Sequence, residues 1–151
     1  MFIRWLFAAM HLLALGIGLG SIWGRARALG EPLDAAGLRR VFYADTWWGI
    51  AAILWLATGL LRAFGGLEKG TSYYLHNRFF HAKLGLFVLI LLLELRPMAA
   101  LIRWRIDAKR GETVDTSAAS MFARISYAQA GLIGLMVLAA TAMARGYGYV
   151  Q

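Results

Sequence analysis

Along the chain, apolar residues gather into long runs separated by short polar stretches. Four runs are long enough, at about 20 residues, to cross a bilayer as helices. They lie at about 3–23, 46–63, 78–104 and 120–143. The pattern therefore predicts an all-α fold, an integral membrane four-helix bundle forming a single transmembrane domain over 1–151. Asp45 is placed to cap the second helix. Pro97 falls inside the third and should kink or end it. Asp115, Thr116 or Ser117 could cap the fourth. The first run continues to Trp23 without a small-residue cleavage pattern, which reads as a retained helix rather than a signal peptide.

Composition agrees with this. Of 151 residues, 60% are hydrophobic and only 16% charged, well below a soluble domain's usual share of about 25%. The absence of cysteine excludes disulfides, zinc-thiolate sites, iron–sulfur clusters and thiol chemistry. The net charge of +8 raises the question of nucleic acid. The basic residues, however, cluster at the ends of apolar runs, where they orient helices, and no nucleic-acid partner is expected. Arg25, Arg27, Arg39 and Arg40 fall in the first loop, and Arg103, Arg105, Lys109 and Arg110 in the third. The positive-inside rule then puts loops one and three in the cytoplasm and both termini outside. Trp5, Trp23, Trp47, Trp48, Tyr73, Tyr74 and Trp104 mark the interfaces. Trp55, near the middle of helix two, either packs in the interior or lies against a flat ring.

Small residues suggest packing faces. Gly16, Gly20 and Gly24 repeat every four positions on helix one, as do Ser126, Ala130 and Gly134 on helix four. Such stripes let backbones approach closely in lipid, within the bundle or against a partner.

Ionisable residues inside the apolar runs carry the candidate chemistry: His11, His81, Lys83, Glu94 and Arg96. Lys83 and Glu94, three turns apart on helix three, share a face that should point inward, with Phe87 and Ile90 between them. His81, only two positions from Lys83, points roughly the other way, with Arg78 and Arg96. Glu94 needs a proton or a cation from another helix or subunit. His11 and His81 belong to the same half of the membrane, because helices one and three start on the same side. A pair of neutral histidines could hold a haem iron axially, and Lys83 could meet a propionate. Each residue also has a plainer reading. His11 could hydrogen-bond a neighbouring helix, His76 and His81 could be wetted at the interface, and Lys83 could snorkel to it. No phosphate-binding loop, zinc-protease motif or nucleophile elbow is present.

The segment YYLHNRFFHAKLGLFVLILLLELRPMAALIRWR resembles a family of bacterial membrane proteins of unknown function, domain of unknown function number 2214. FFHAKLGLFVLILLL and AMHLLALGIGLGSIWGRARAL also resemble, in part, helices of the HemJ-type protoporphyrinogen oxidase family. That second resemblance implies b-type haem (haem b) bound in a small membrane bundle acting in haem synthesis. By position it matches His11, His81 and Lys83. The polar residues of that family's last helix are not evident in MFARISYAQAGLIGLMVLAA.

Two functional readings follow. In the first, a small redox protein of the bacterial cytoplasmic membrane binds haem b or a porphyrin, with His11 and His81 as ligands. In the second, a non-catalytic subunit docks on a larger membrane complex, or on copies of itself, and its polar residues are contacts. A four-helix transporter comes third.

Overall fold

A computed structural model describes residues 2–65 and 75–148. Its helices are α1 (Phe2–Leu29), α2 (Ala35–Phe64), α3 (Arg78–Arg110) and α4 (Ala119–Ala144). Each is long and apolar enough to cross a membrane, and no strand occurs among the described residues. The four-helix membrane fold is as the apolar pattern predicts. Tyr73 and Tyr74, expected to mark an interface, lie outside the described residues.

Three boundaries differ from those read in the sequence, and each difference brings polar residues into a helix. Helix α1 does not end near Trp23 but runs to Leu29, burying Arg25, Ala26, Ala28 and Leu29. Arginine, alanine and leucine are good helix formers, so only the drop in hydropathy suggested a stop. Helix α2 begins eleven residues earlier than expected, at Ala35. Its cap is Asp34, whose Oδ1 accepts from the Gly37 amide at 2.7 Å. That bond holds the Asp34 carboxyl below the usual carboxylate range. Asp45 is therefore a mid-helix residue and not a cap. Helix α4 has no side-chain cap. Asp115 instead accepts from the Ser117 amide at 3.0 Å, in the turn before it. Pro97 is buried and does not end α3, which continues to Arg110.

The glycine stripe on α1 is not the main packing face. A side chain at Gly16 or Gly20 would meet nothing within 4 Å, while Gly24 lies near Ala44. The buried stripe is instead His11, Ala14, Gly18, Ile22, Arg25 and Leu29. Its spacing of three and four residues follows the helical repeat. Gly18 admits Trp48 and Ala51 of α2, the nearest atom lying 3.5 Å from where its Cβ would be. On α4, Ser126 and Ala130 turn inward, but Gly134 is exposed and Ile133 and Met136 continue the face.

The interior is built in tiers. Near loops one and three, an apolar cluster joins all four helices through Leu29, Val41, Leu101, Trp104 and Phe122. A second cluster, with Ile22, Trp48, Ile90, Ile133 and Met136, fills the middle. Between them lies a buried ionic network. Arg25, with 0% of its side chain exposed, donates from Nη1 and Nη2 to the two oxygens of Glu94, at 2.7 and 2.8 Å. It also donates to Asp45 at 2.9 Å, to Gln129 at 3.1 Å and, from Nε, to Ser126 at 3.1 Å. All five guanidinium N–H groups thus have acceptors. Gln129 Nε2 donates to Glu94 at 2.8 Å, and Arg105 donates to the other oxygen of Asp45 at 2.8 Å. Two cations and two anions balance, and every helix contributes.

Glu94 accordingly pairs with a cation from another helix, and the shared inward face of Lys83 and Glu94 is present. Arg25, counted among the loop residues by its sequence position, is the centre of the core. Arg96, the other polar residue singled out on α3, is exposed.

Removing Arg25 would leave two carboxylates in the interior without their main partner. Arg25→Met should therefore cost about 3–5 kcal/mol of stability. Arg25→Lys should also destabilise, because an ammonium offers three donors where five are used. Replacing Glu94 together with Arg25 by apolar residues should recover part of the loss. Denaturation of the purified protein in mixed micelles measures all three. Equal stability of Arg25→Met and the parent would show that the network contributes nothing.

Candidate functional site

At the end of the bundle away from loops one and three, the helices part around His11. This histidine lies on the buried stripe of α1 and is 8% exposed. Its Nδ1 is 2.9 Å from the hydroxyl of Thr58 on α2. The Thr58 hydroxyl also lies 2.7 Å from the carbonyl of Leu54, one helical turn back, with the Trp55 carbonyl 3.2 Å away. A hydroxyl has one proton, and the helix carbonyls take it. His11 must then be the donor towards Thr58. In the neutral ring this puts the proton on Nδ1 and the lone pair on Nε2.

Trp55 stacks on the His11 ring, with centroids 5.4 Å apart and planes 17° from parallel. It packs in the interior against the middle cluster, and the flat ring against it is an imidazole. Lys83 of α3 places its ammonium 5.9 Å from the centre of the Trp55 ring. This is within the range of a cation–π contact. Lys83 therefore points inward rather than snorkelling away. Phe87, one turn further along α3, packs against the same indole at 5.9 Å.

Two hollows meet at these residues. One, of about 280 Å³, opens along the bundle axis near the end of α4 and is lined by His11, Trp55, Arg62, Lys83 and Thr141 among others. The other, of about 340 Å³, is a slot between α2 and α3 with His11 and Met136 at its back. Apart from His11, His81 and Lys83, the described residues that line the slot are apolar. Among the described residues, no carboxylate lines either hollow.

His81 is exposed, as an interfacial residue would be, yet it lines the slot together with Lys83 and His11. The α-helical turn does separate the directions of His81 and Lys83, but the slot is wide enough to be bordered by both. His81 Nδ1 lies 3.0 Å from the carbonyl of Asn77. Asn77 is fully buried. Its Oδ1 caps α3 by accepting from the Phe79 amide at 2.9 Å, and its amide donates to the carbonyl of Tyr147 at 3.1 Å. Arg78 N donates to the carbonyl of Gly148 at 2.9 Å, so the turn after α4 is tied to the start of α3. His76 is exposed and precedes α3, so it does not join the inward face of that helix.

Thr58, Asn77 and Arg62 escaped the sequence reading because none stands out by type. Thr58 follows Trp55 by three residues and precedes Arg62 by four, so all three share one face of α2. That spacing was the available signal. Among the described residues, no three His, Asp or Glu side chains group as a metal site.

The hydrogen bonding makes a direct spectroscopic prediction. The His11 ring should show protonated Nδ1 and unprotonated Nε2 in nitrogen-15 NMR at neutral pH. Thr58→Val should weaken that preference. A spectrum in which the proton sits on Nε2 would contradict the arrangement.

No curated protein and no solved structure matches the chain. One family model matches residues 3–148, nearly the full length, and its description is predicted membrane protein (DUF2214). On that match the chain belongs to the DUF2214 family of membrane proteins.

Proposed function

We propose that this protein binds b-type haem, or a closely related porphyrin, at the His11 end of the bundle, and works as a small membrane redox protein. The observation that carries this reading is the Thr58 hydrogen bond. It directs the His11 proton to Nδ1 and leaves Nε2 as the nitrogen with ligand chemistry. A histidine that donates from one nitrogen and ligates through the other is the usual arrangement in metal sites. His81 has the same kind of partner in the Asn77 carbonyl, and both histidines border the slot. The apolar walls suit a flat hydrophobic ring. Lys83, whose ammonium lies over Trp55 at the border of the slot, suits a propionate. The partial resemblance of the His11 and His81–Lys83 segments to HemJ-type oxidases points the same way. Bound iron would supply one-electron chemistry, and this chain's residues would hold the ring, exclude water and set the axial field.

A second reading has one observation of its own. Gly16 and Gly20 present a face of α1 that none of the described helices covers. In a non-catalytic subunit this face would receive a helix of a larger membrane complex or of a second copy. A partner that purifies in fixed ratio, and is lost on Gly16→Leu, would support it.

For the haem reading, the protein purified after haem supplementation should show a strong Soret band. His11→Ala should abolish it or shift it to a weaker ligand set, and His81→Ala should alter it. Lys83→Gln should weaken haem retention severalfold without removing axial ligation. No Soret band in the fully supplemented parent protein, or a band untouched by His11→Ala, would sink the assignment.

A further inference from the structure

The two histidines are held in different ways, and the difference lies in how α3 begins. His11 bonds to a side chain within α2, well away from either end of that helix. His81 bonds to the carbonyl of Asn77, four residues back, where α3 starts. A carbonyl only accepts, so the 3.0 Å contact is a hydrogen bond only with the proton on His81 Nδ1. The orientation of His81 therefore depends on where Asn77 is held.

Asn77 has an extended backbone and is fully buried. Its Oδ1 accepts from the Phe79 amide at 2.9 Å, which starts the helix. Its other bonds leave α3. Nδ2 donates to the carbonyl of Tyr147 at 3.1 Å, and the next amide, Arg78, donates to the carbonyl of Gly148 at 2.9 Å. Both carbonyls belong to the turn that ends α4. There the Tyr147 amide donates back to Ala142 at 3.2 Å and the Gly146 amide to Met143 at 3.0 Å. Gly146 sits between them at φ +86°. This is a Schellman helix end, where glycine takes the left-handed conformation without strain. It fixes the direction in which the chain leaves α4. Gly148 is left-handed too, at φ +79°. A Cβ there would press on the Phe79 ring and lie 3.3 Å from Asn77 Oδ1. Residues 145–148 thus form a clasp against the start of α3. It joins the two helix ends that border the axial hollow, Thr141 and Ala144 on one side, Phe80 and Lys83 on the other.

We propose that this clasp positions His81, with Asn77 as the positioning residue. The acceptor of Asn77 begins α3, its donor ties α3 to the end of α4, and together they place the carbonyl that orients the imidazole. Releasing the clasp frees His81 and leaves His11 held by Thr58. The purpose this gives His81 rests on the ligand-site reading above, whereas the clasp itself is testable without haem.

The test uses the full chain in nanodiscs and two variants. Asn77→Asp keeps the capping acceptor and loses the donor. Gly148→Ala acts from the other side of the clasp and leaves the sequence of α3 intact. In nitrogen-15 NMR of the haem-free parent, His81 should be protonated on Nδ1. Both variants should lose that preference and show a mixture of the two tautomers, while the His11 signals stay in place. After haem loading, Asn77→Asp should give the spectrum of His81→Ala, with a Soret band kept through His11 but the two-histidine character lost. Unchanged His81 signals in the folded variants would overturn the clasp. So would equal disturbance of His11 and His81, or loss of the fold in both variants, since either makes the turn a general support. If one variant fails to melt cooperatively, the other decides. Haem spectra unchanged in the clasp variants but altered by His81→Ala would overturn the positioning role. If the parent binds no haem, or binds it without His81, the proposed function falls in whole or in part, and the nitrogen signals alone decide the clasp.

Discussion

The guanidinium of Arg25 is the constraint on which the rest of the structure depends. A charge taken out of water is costly, by several kcal/mol even after relaxation. It is tolerated here because five acceptors from the other three helices surround it. Lipid supplies no hydrophobic drive to hold helices together, so such directional bonds carry more of the specification than they would in a soluble bundle. The two-pronged contact with Glu94 fixes the rotation of α3 relative to α1. Ser126 and Gln129 do the same for α4, and Asp45 for α2. Once these rotations are set, the same turns of the helices decide what faces inward further along.

The link from lock to site is helical repeat. Arg25, Ile22, Gly18, Ala14 and His11 form one stripe on α1, so turning Arg25 inward also turns His11 inward. On α3 the face that carries Glu94 also carries Ile90, Phe87 and Lys83. On α2, Asp45 begins a face that continues through Trp48, Ala51, Trp55 and Thr58. The ionic tier and the histidine tier are therefore two ends of one arrangement, separated by an apolar layer. The ionic end is closed and internally satisfied. The histidine end is open, with α2 and α3 apart. A closed end suits structure, and an open one suits a ligand.

Much of this was legible in the chain. Four apolar runs gave the four described helices and the membrane setting. The eleven-residue spacing of Lys83 and Glu94 gave their common inward face, because three turns of a helix nearly repeat a direction. His11 stood out as a lone polar group in an apolar run. The helix ends were less legible, since hydropathy marks where lipid contact stops and not where hydrogen bonding stops. Arg25 and Asp45 were hidden for that reason: both sit in helical segments polar enough to look like loop or cap. The glycine stripe on α1 misled because spacing fixes which residues share a face, but not which face is covered.

By itself, then, the sequence determined four rods long and apolar enough to cross a bilayer and the scarce ionisable groups each one carries. These follow from composition and period, which are properties of one helix at a time. Only the tertiary structure decided the rotation of each rod, and with it the partners. It made Arg25 a core residue, gave Glu94 its cation, set Thr58 against His11, and left α2 and α3 apart beside Gly59. Such relations join residues as many as 104 positions apart. They depend on distances between helices, which no single helix encodes.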